Sequence, residues 1–481
     1  MIDWTQGRNL SMLADFYEFT MANAYLEKGM GDIITYFDLY FRTVPDESGY
    51  AVAAGLEQLV EYIDHLHFSE KDIAYFRSKN MFSEDFLEYL ANFEFQCDVW
   101  AIPEGTAVFP NEPLITVRGP AVQAQLIETM ALICINHQSL IASKASRIVR
   151  AAAGRAVMEF GARRAQGADA ATLGARAAYI GGVVGTSNTL TDKHYQVPAL
   201  GTMAHSWVMM FPTEYDAFKA YAEVFPDSVT LLVDTYNTLK EGVPNAIRVF
   251  DDVLKPMGKR PVAIRLDSGD IAYLSKQARI MLDEAGYEDC KIVASNSLDE
   301  YTIRDVLEQG AKLDSFGVGE RLITAKSNPV FGGVYKLVAV EEEGKIIPKI
   351  KISENVEKIT TPGFKTIYRL YDRKTGKAEA DLITLHDEEI DDSKDLEIFH
   401  PIHTWKRKTL SNFKARKLHI KVYEQGKRIC ELPSLEEIVE YQKTEVDSLW
   451  EEVTRLDRPH LYIVDLSLKL WEIKDRLLNA R

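Results

Sequence analysis

Four segments between residues 229 and 320 share one design: an apolar strand, a polar end, then an amphipathic helix. They are Val229-Thr-Leu-Leu-Val-Asp-Thr-Tyr236, Val262-Ala-Ile-Arg-Leu-Asp-Ser-Gly-Asp270, Lys291-Ile-Val-Ala-Ser-Asn-Ser297 and Leu313-Asp-Ser-Phe-Gly-Val-Gly319. Strands that read as continuous apolar runs are buried on both faces. Their alternation with helical stretches at 240–255, 271–285 and 299–309 predicts parallel βα units, and hence an α/β barrel. In such barrels the active site gathers at the carboxyl ends of the strands, where Asp234, Arg265, Asp267, Ser295, Asn296, Gly317 and Gly319 fall. A doubly wound open sheet is the structural alternative and obeys the same rule for its ligand. Serine, glycine and the first N–H groups of a helix can cradle phosphate, while a carboxylate can accept ribose hydroxyls or help hold a metal ion. The strand ends therefore suggest a phosphorylated sugar.

At 481 residues the chain exceeds one ordinary core, so two domains and a helical appendage are expected. No apolar run approaches the roughly 18 residues that span a bilayer, and no secretory signal is read, so a cytoplasmic location follows. Cys97, Cys134, Cys290 and Cys430 lie far apart, without zinc-ligand spacing, and are expected to be buried, inert thiols. A net charge of −16 argues against nucleic-acid binding, so an anionic substrate would need a local basic pocket.

The barrel is expected over 121–333. A discontinuous β-rich flanking domain is expected from 1–120 and 334–430, followed by C-terminal helices over 431–481. Residues Leu10 to Lys28 read as an amphipathic helix and Ile33 to Arg42 as a strand. Short apolar runs broken by Pro, Gly and Asn between Phe95 and Pro120 read as strands and turns. From Ala121 to Ala153 apolar and small residues recur at helical spacing without proline or glycine, which predicts one long helix or two abutting ones. Runs such as Val334–Val340 and Lys365–Tyr371 are strand-like, and this second β-rich stretch can pair with residues 30–120. The acidic run Asp387 to Asp395 reads as a solvated loop. Ser434-Leu-Glu-Glu437 has capping-box spacing and predicts a helix of about five turns.

Several segments carry candidate chemistry. In Pro198-Ala-Leu-Gly-Thr-Met-Ala-His-Ser-Trp207 a histidine follows a polar break, and imidazole can accept a phosphoryl group or move a proton near neutral pH. Taken alone, such a histidine is more often a packed or surface residue. In Met158-Glu-Phe-Gly-Ala-Arg-Arg-Ala-Gln166, Phe160 could stack on a flat ring and an arginine fork could hold a carboxylate. Adjacent residues cannot share one helix face, so one of Arg163 and Arg164 enters a pocket; two arginines on a solvated helix is the competing reading. Gly181-Gly-Val-Val-Gly-Thr-Ser-Asn188 is a flexible turn that permits close backbone approach.

These motifs resemble nicotinate phosphoribosyltransferases, type II phosphoribosyltransferases that make nicotinate mononucleotide from nicotinate and phosphoribosyl pyrophosphate. The likeness runs through Ala14-Asp-Phe-Tyr-Glu-Phe-Thr-Met21, Phe160-Gly-Ala-Arg-Arg-Ala-Gln166, Gly201-Thr-Met-Ala-His-Ser-Trp207, Ile264-Arg-Leu-Asp-Ser-Gly-Asp270, Phe316-Gly-Val-Gly319 and Gly332-Gly-Val-Tyr-Lys-Leu-Val-Ala339. The resemblance implies an irregular α/β barrel with a flanking domain, and a homodimer with a shared active site. It further implies that Tyr17 of the neighbouring subunit and Phe160 sandwich the pyridine ring while Arg163 meets the carboxylate. Arg265 would sit near base and ribose, and Asp267 and Asn296 would hold ribose hydroxyls. Ser295, Ser297, Gly317 and Gly319 would surround the 5′-phosphate, and Arg42 would reach the pyrophosphate. His205 matches the histidine that the family phosphorylates with ATP, making the enzyme formally a ligase. Asp234 and Asp267 are assigned to positioning and to ribose or Mg2+ contacts, with Asp267 bearing indirectly on the metal. No general base is required, because the pyridine nitrogen has no proton to lose. Nicotinamide-specific relatives carry aspartate where this chain has Ser187; a carboxylate there would repel nicotinate.

A nicotinamide- or quinolinate-type enzyme on the same fold is the nearest rival, although quinolinate, with two carboxylates, calls for a more basic pocket. The non-enzymatic alternative is a nucleotide-binding barrel that regulates a partner. His205, Arg163 and Asp267 disfavour it, since a binder has no need of a phosphorylatable histidine.

Overall fold

The computed structural model describes residues 7–480, and the chain folds into two compact units. One comprises 141–329. The other is assembled from both ends of the chain, 1–140 and 330–481, and the first division falls within the helix Glu128–Ala151.

In the unit 141–329, five parallel strands lie in the spatial order Ala156–Glu159, Ser315–Val318, Lys291–Ala294, Ala263–Leu266, Thr230–Leu232. Apart from the half-buried Ala156 and Met158 of the first strand, their apolar residues are almost fully buried, as continuous apolar runs require. Beyond Glu159 the sheet continues through single parallel bridges from Glu159 to Thr186 and from Thr186 to Ala199. Going round the circuit, each strand is flanked by its neighbours in sequence, and the last strand pairs with the first. A doubly wound sheet would instead reverse its order at a switch point. The fold is therefore an irregular α/β barrel, the irregularity lying in the segments at 186 and 199, which contribute bridges rather than ladders.

Helices start where side chains can cap them. Asp270 accepts from the Tyr273 N–H and Asp299 from the Thr302 N–H, which satisfies donors left over in each first turn. The helical pattern at 240–255 forms a composite: an α-helix, Val243–Val249, between π turns at Thr238–Gly242 and Phe250–Leu254. The π turn brings Gly242 so close to the carbonyl of Val233 that any Cβ there would collide with it.

The other unit is β-rich, and its sheet interleaves the chain ends. Ile34–Tyr40 pairs antiparallel with Val334–Glu342 on one side and Ile115–Pro120 on the other, while Ile420–Glu424 pairs with Asp98–Ala101. This unit is thus built from two separate stretches of chain. A four-stranded sheet adds Phe413–Lys417, Lys365–Asp372, Ala378–Leu385 and Val464–Leu466. At its centre Arg369, fully buried, makes a two-pronged ion pair with Asp381 and a second with Glu445.

Some boundaries move. The N-terminal helix begins at Phe16, behind its N-cap Asp15, instead of at Leu10. The Ala121–Ala153 stretch forms two abutting helices, Ala121–Gln125 and Glu128–Ala151. The Ser434 capping box is formed, but its helix ends at Asp447 after 13 residues, short of five turns, where the Ser448 hydroxyl takes the Glu445 carbonyl. Cys97, Cys134 and Cys290 are buried, whereas Cys430 is half-exposed. No helix among the described residues is long and apolar enough to cross a membrane.

Candidate active site

The carboxyl ends of the barrel strands carry a connected set of polar groups. Arg265, on the strand Ala263–Leu266, points its Nε at Ser295 Oγ (2.9 Å) and its Nη2 at Asp267 Oδ1 (3.1 Å), while Nη1 lies 3.4 Å from Thr202 Oγ1. The Ser295 hydroxyl also donates to Asp267. The guanidinium is fixed by three strand ends at once, and its Cζ lies 5.8 Å from the centre of the Phe160 ring.

Asp234 lies under this layer with its side chain 1% exposed. Its Oδ2 accepts the Asp267 N–H at 2.9 Å and the Ser268 hydroxyl at 2.6 Å, which pins the loop after that strand. Its Oδ1 is buried without a hydrogen-bond partner and lies 4.0 Å from His205 Nε2. Asp267 Oδ2 lies 3.8 Å from the same nitrogen. His205 opens the short helix His205–Met209, has its side chain 40% exposed, and bonds through Nδ1 to Thr235 Oγ1 at 3.0 Å. One imidazole nitrogen is therefore held from behind, and the other faces two carboxylates at the mouth of the barrel.

A second group of residues forms a shelf beside it. The Phe160 N–H donates to Val318 O at 2.7 Å, so the ring lies over Gly317; a Cβ on Gly317 would fall 2.6 Å from the ring. Gly161 packs against Gly319 and Ile323, and the turn Ala162–Arg164 then carries Arg163 to the surface. The exposed Ser187 donates its N–H to Glu159 O at 2.9 Å. Burial raises the Glu159 carboxyl pKa, an effect opposed by its bonds to Thr186 and Gly161.

At the end of Lys291–Ala294, Asn296 and Ser297 both adopt positive φ, 91° and 48°. Such backbone costs about 1–3 kcal/mol per residue and persists where surrounding contacts impose it. The segment that follows is anchored by Asp299, ion-paired to Arg321, and by the buried Glu300, held by Lys144 at 2.9 Å and Arg147 at 3.0 Å.

The structure thus brings His205, Asp234, Arg265, Asp267, Ser295, Phe160 and Gly317 into one connected set. Asn296, Ser297 and Gly319 stand at the adjoining strand ends, and Arg163 and Ser187 on the shelf. Tyr17 and Arg42 belong to the other unit. Tyr17 is 45% exposed, with its hydroxyl pKa raised by burial and by Glu128, and Arg42 lies 5.8 Å from the Tyr40 ring. Reading the sequence did not single out Thr202, Thr235, Ser268 or Glu159. The first three are neutral hydroxyls inside the motifs given above; the available signal for Glu159 was a charge ending an apolar strand just before the aromatic.

Comparison with known proteins agrees along the whole chain. The nicotinate phosphoribosyltransferase N-terminal domain matches residues 12–136, the family's central region matches 155–378 and its C-terminal domain matches 364–474. The chain is 47% identical to the nicotinate phosphoribosyltransferase of Bacillus subtilis, over 97% of this chain and 94% of that one. It is 34% identical to the Dictyostelium discoideum enzyme of the same name, over 96% and 87%. The crystal structure of human nicotinic acid phosphoribosyltransferase superposes with a TM-score of 0.86 at 29% identity, covering 96% of this chain and 99% of the human one. Nicotinate-nucleotide pyrophosphorylase from Pyrococcus furiosus shares the fold, with a TM-score of 0.70 at 24% identity over 92% and 96%. Matched by the family's models over most of its length and 47% identical to one of its members, the chain belongs to the nicotinate phosphoribosyltransferase family.

Proposed function

We propose that this protein transfers the phosphoribosyl group of phosphoribosyl pyrophosphate to nicotinate, giving nicotinate mononucleotide and pyrophosphate for NAD synthesis, with ATP consumed through a phosphohistidine at His205. The observation that carries the reading is the placement of His205 Nε2 between Asp234 and Asp267 while Thr235 holds Nδ1. With Nδ1–H donating to Thr235, the lone pair sits on Nε2. That nitrogen attacks the γ-phosphorus of ATP, the bond to the bridging oxygen breaks, and ADP leaves. Water later cleaves the N–P bond and returns phosphate and the free imidazole.

In the transfer itself the pyridine nitrogen attacks C1 of the ribose as pyrophosphate departs, through an oxocarbenium-like state. Its demands are orientation and charge stabilisation. Phe160 stacks on the pyridine, with Tyr17 of a neighbouring subunit on the other face of a homodimer, and Arg163 pairs with the carboxylate. Asp267 and Asn296 take the ribose hydroxyls, and Arg265 is braced over base and ribose. Ser297, Gly317 and Gly319 receive the 5′-phosphate with Ser295 among them, its hydroxyl keeping Arg265 and Asp267 in register; Arg42 reaches the pyrophosphate. Neutral Ser187 leaves the nicotinate carboxylate unopposed.

Asp234 and Asp267 fit a phosphate-bound Mg2+, which is commonly held by one or two carboxylates plus the substrate's own oxygens. One Asp234 oxygen is buried and unsatisfied, which suits that use. The ion supplies charge neutralisation for the leaving pyrophosphate.

The test is a product assay with nicotinate or nicotinamide, phosphoribosyl pyrophosphate and Mg2+, with and without ATP, quantifying mononucleotide and ADP together. The expected result is nicotinate mononucleotide with ATP-stimulated turnover and accompanying ADP. Nicotinamide mononucleotide would transfer the protein to the amide-specific class, and no product with either base would leave a nucleotide-binding barrel.

A further inference from the structure

Glu159 closes its strand with both carboxylate oxygens turned inward, and the residue is fully buried. One oxygen accepts the Gly161 N–H, the donor at the head of the turn that carries Arg163. The other accepts the Thr186 hydroxyl at 2.6 Å. Its backbone pairs with the same neighbour, since the Glu159 N–H donates to Gly185 O and the Ser187 N–H to Glu159 O, each at 2.9 Å. Thr186, also fully buried, accepts the Asn188 N–H at 3.0 Å and exchanges backbone bonds with Pro198 and Leu200.

Thr186 and Ala199 join the sheet here through single bridges only. A buried carboxylate that lacks its donors costs several kcal/mol, so the two donors and the carboxylate constrain one another. The Glu159 carboxylate bonds Gly161 and Thr186, not the side chains of the exposed shelf, while the backbone on either side of it presents Phe160, Arg163 and Ser187.

We propose that Glu159 is a positioning residue for base recognition: it ties the turn bearing Phe160 and Arg163 to the segment bearing Ser187, and so sets affinity and selectivity for the pyridine substrate. The inference rests on the reading of that shelf as the nicotinate site.

Three variants test it: Glu159→Ala, Glu159→Gln and Thr186→Val. The readout is KM for nicotinate and for phosphoribosyl pyrophosphate separately, the nicotinate/nicotinamide preference, and the melting temperature. Glu159→Ala is expected to raise KM for nicotinate about tenfold or more while KM for phosphoribosyl pyrophosphate moves less than about twofold. Glu159→Gln keeps an acceptor for Gly161, and its amide can donate to Thr186 Oγ1, so it should restore most of the nicotinate affinity. Thr186→Val removes the hydroxyl arm to Glu159, together with the bond that hydroxyl accepts from the Asn188 N–H, and should give an intermediate rise, which keeps the test decisive if the alanine variant does not fold.

A folded Glu159→Ala or Thr186→Val protein with unchanged KM for nicotinate would overturn the inference, whatever its melting temperature. So would a glutamine variant as impaired in kcat as the alanine one, since that would make the carboxylate a chemical participant. If the unmodified protein made no mononucleotide from nicotinate, the functional reading would fall first and the inference with it. Normal turnover with unmoved constants would sink the inference alone.

Discussion

Asp234 anchors Asp267 from below: its Oδ2 accepts the Asp267 backbone N–H at 2.9 Å, while its Oδ1 reaches to 4.0 Å from His205 Nε2. One buried carboxylate thus orients Asp267 and faces the nitrogen proposed to carry phosphate. Asp234→Asn would aim an amide N–H at Nε2 and occupy its lone pair. ATP hydrolysis should fall about a hundredfold. His205→Ala should abolish ADP formation but retain some uncoupled transfer. Measuring ADP and mononucleotide in one reaction checks both, and unchanged ATP hydrolysis in either variant would remove the phosphohistidine assignment.

Gly317 is required by close approach, since its Cβ would lie 2.6 Å from Phe160 Cδ2. Gly317→Ala should push the ring off its seat and raise KM for nicotinate about tenfold. Steady-state kinetics at saturating phosphoribosyl pyrophosphate reads this directly; an unaltered KM would mean the ring does not contact the base.

Ser187→Asp places a carboxylate at an exposed position of the shelf, next to the end of the strand that leads to Phe160. Repulsion of nicotinate should lower its kcat/KM about tenfold or more and shift preference toward nicotinamide. Competition between the two bases in one assay measures it. An unchanged ratio would take Ser187 out of the specificity mechanism.

Glu18 is fully buried beside Tyr17, with three donors on one oxygen and none on the other, and burial pushes its carboxyl up to about 7. Below pH about 4.5 it is protonated in both folded and unfolded chains. As pH rises from there to 7 the unfolded chain releases the proton first, so stability is lost across that window and the loss levels off above 7. Glu18→Gln stays neutral and removes the effect. Unfolding free energies from denaturant titrations at pH 5 and pH 8 should draw together by about 2 kcal/mol, allowing for partial solvation. If the two proteins show the same pH slope, Glu18 is already ionised in the fold.

Arg369 joins the four-stranded sheet to the helix Leu435–Asp447, bonding Asp381 through two nitrogens and Glu445 at 2.9 Å. Arg369→Ala leaves the buried Asp381 without its ion-pair partner and Glu445 with Arg416 alone at 2.7 Å, and should cost about 3–5 kcal/mol. Chemical denaturation checks the magnitude. A loss below about 1 kcal/mol would mean that water reaches the cluster.

Much of this was legible in the residues because it depends on local chemistry. Continuous apolar runs ending in Asp234, Arg265, Ser295 and Gly317 declare buried parallel strands with a polar mouth. Period-3.6 spacing declares the helices between them, and the Ser434 box declares a helix start. The end of that helix was not legible, because it stops where Ser448 takes a carbonyl, not where the pattern fades. The π turns around Val243–Val249 were equally hidden, since they answer to the Val233 carbonyl packed against Gly242.

By itself the sequence determined the fold class and the polar strand ends, which follow from residue type and spacing, and the family, through the likeness of its motifs. Tertiary structure alone decided which polar atoms meet: that Thr235 takes one nitrogen of His205, that Asp234 braces Asp267, and that buried Glu159 spans Gly161 and Thr186. Those contacts join residues up to 33 positions apart through hydrogen bonds of about 3 Å, and pairings at that range are set by strand register and side-chain direction, which no local pattern encodes.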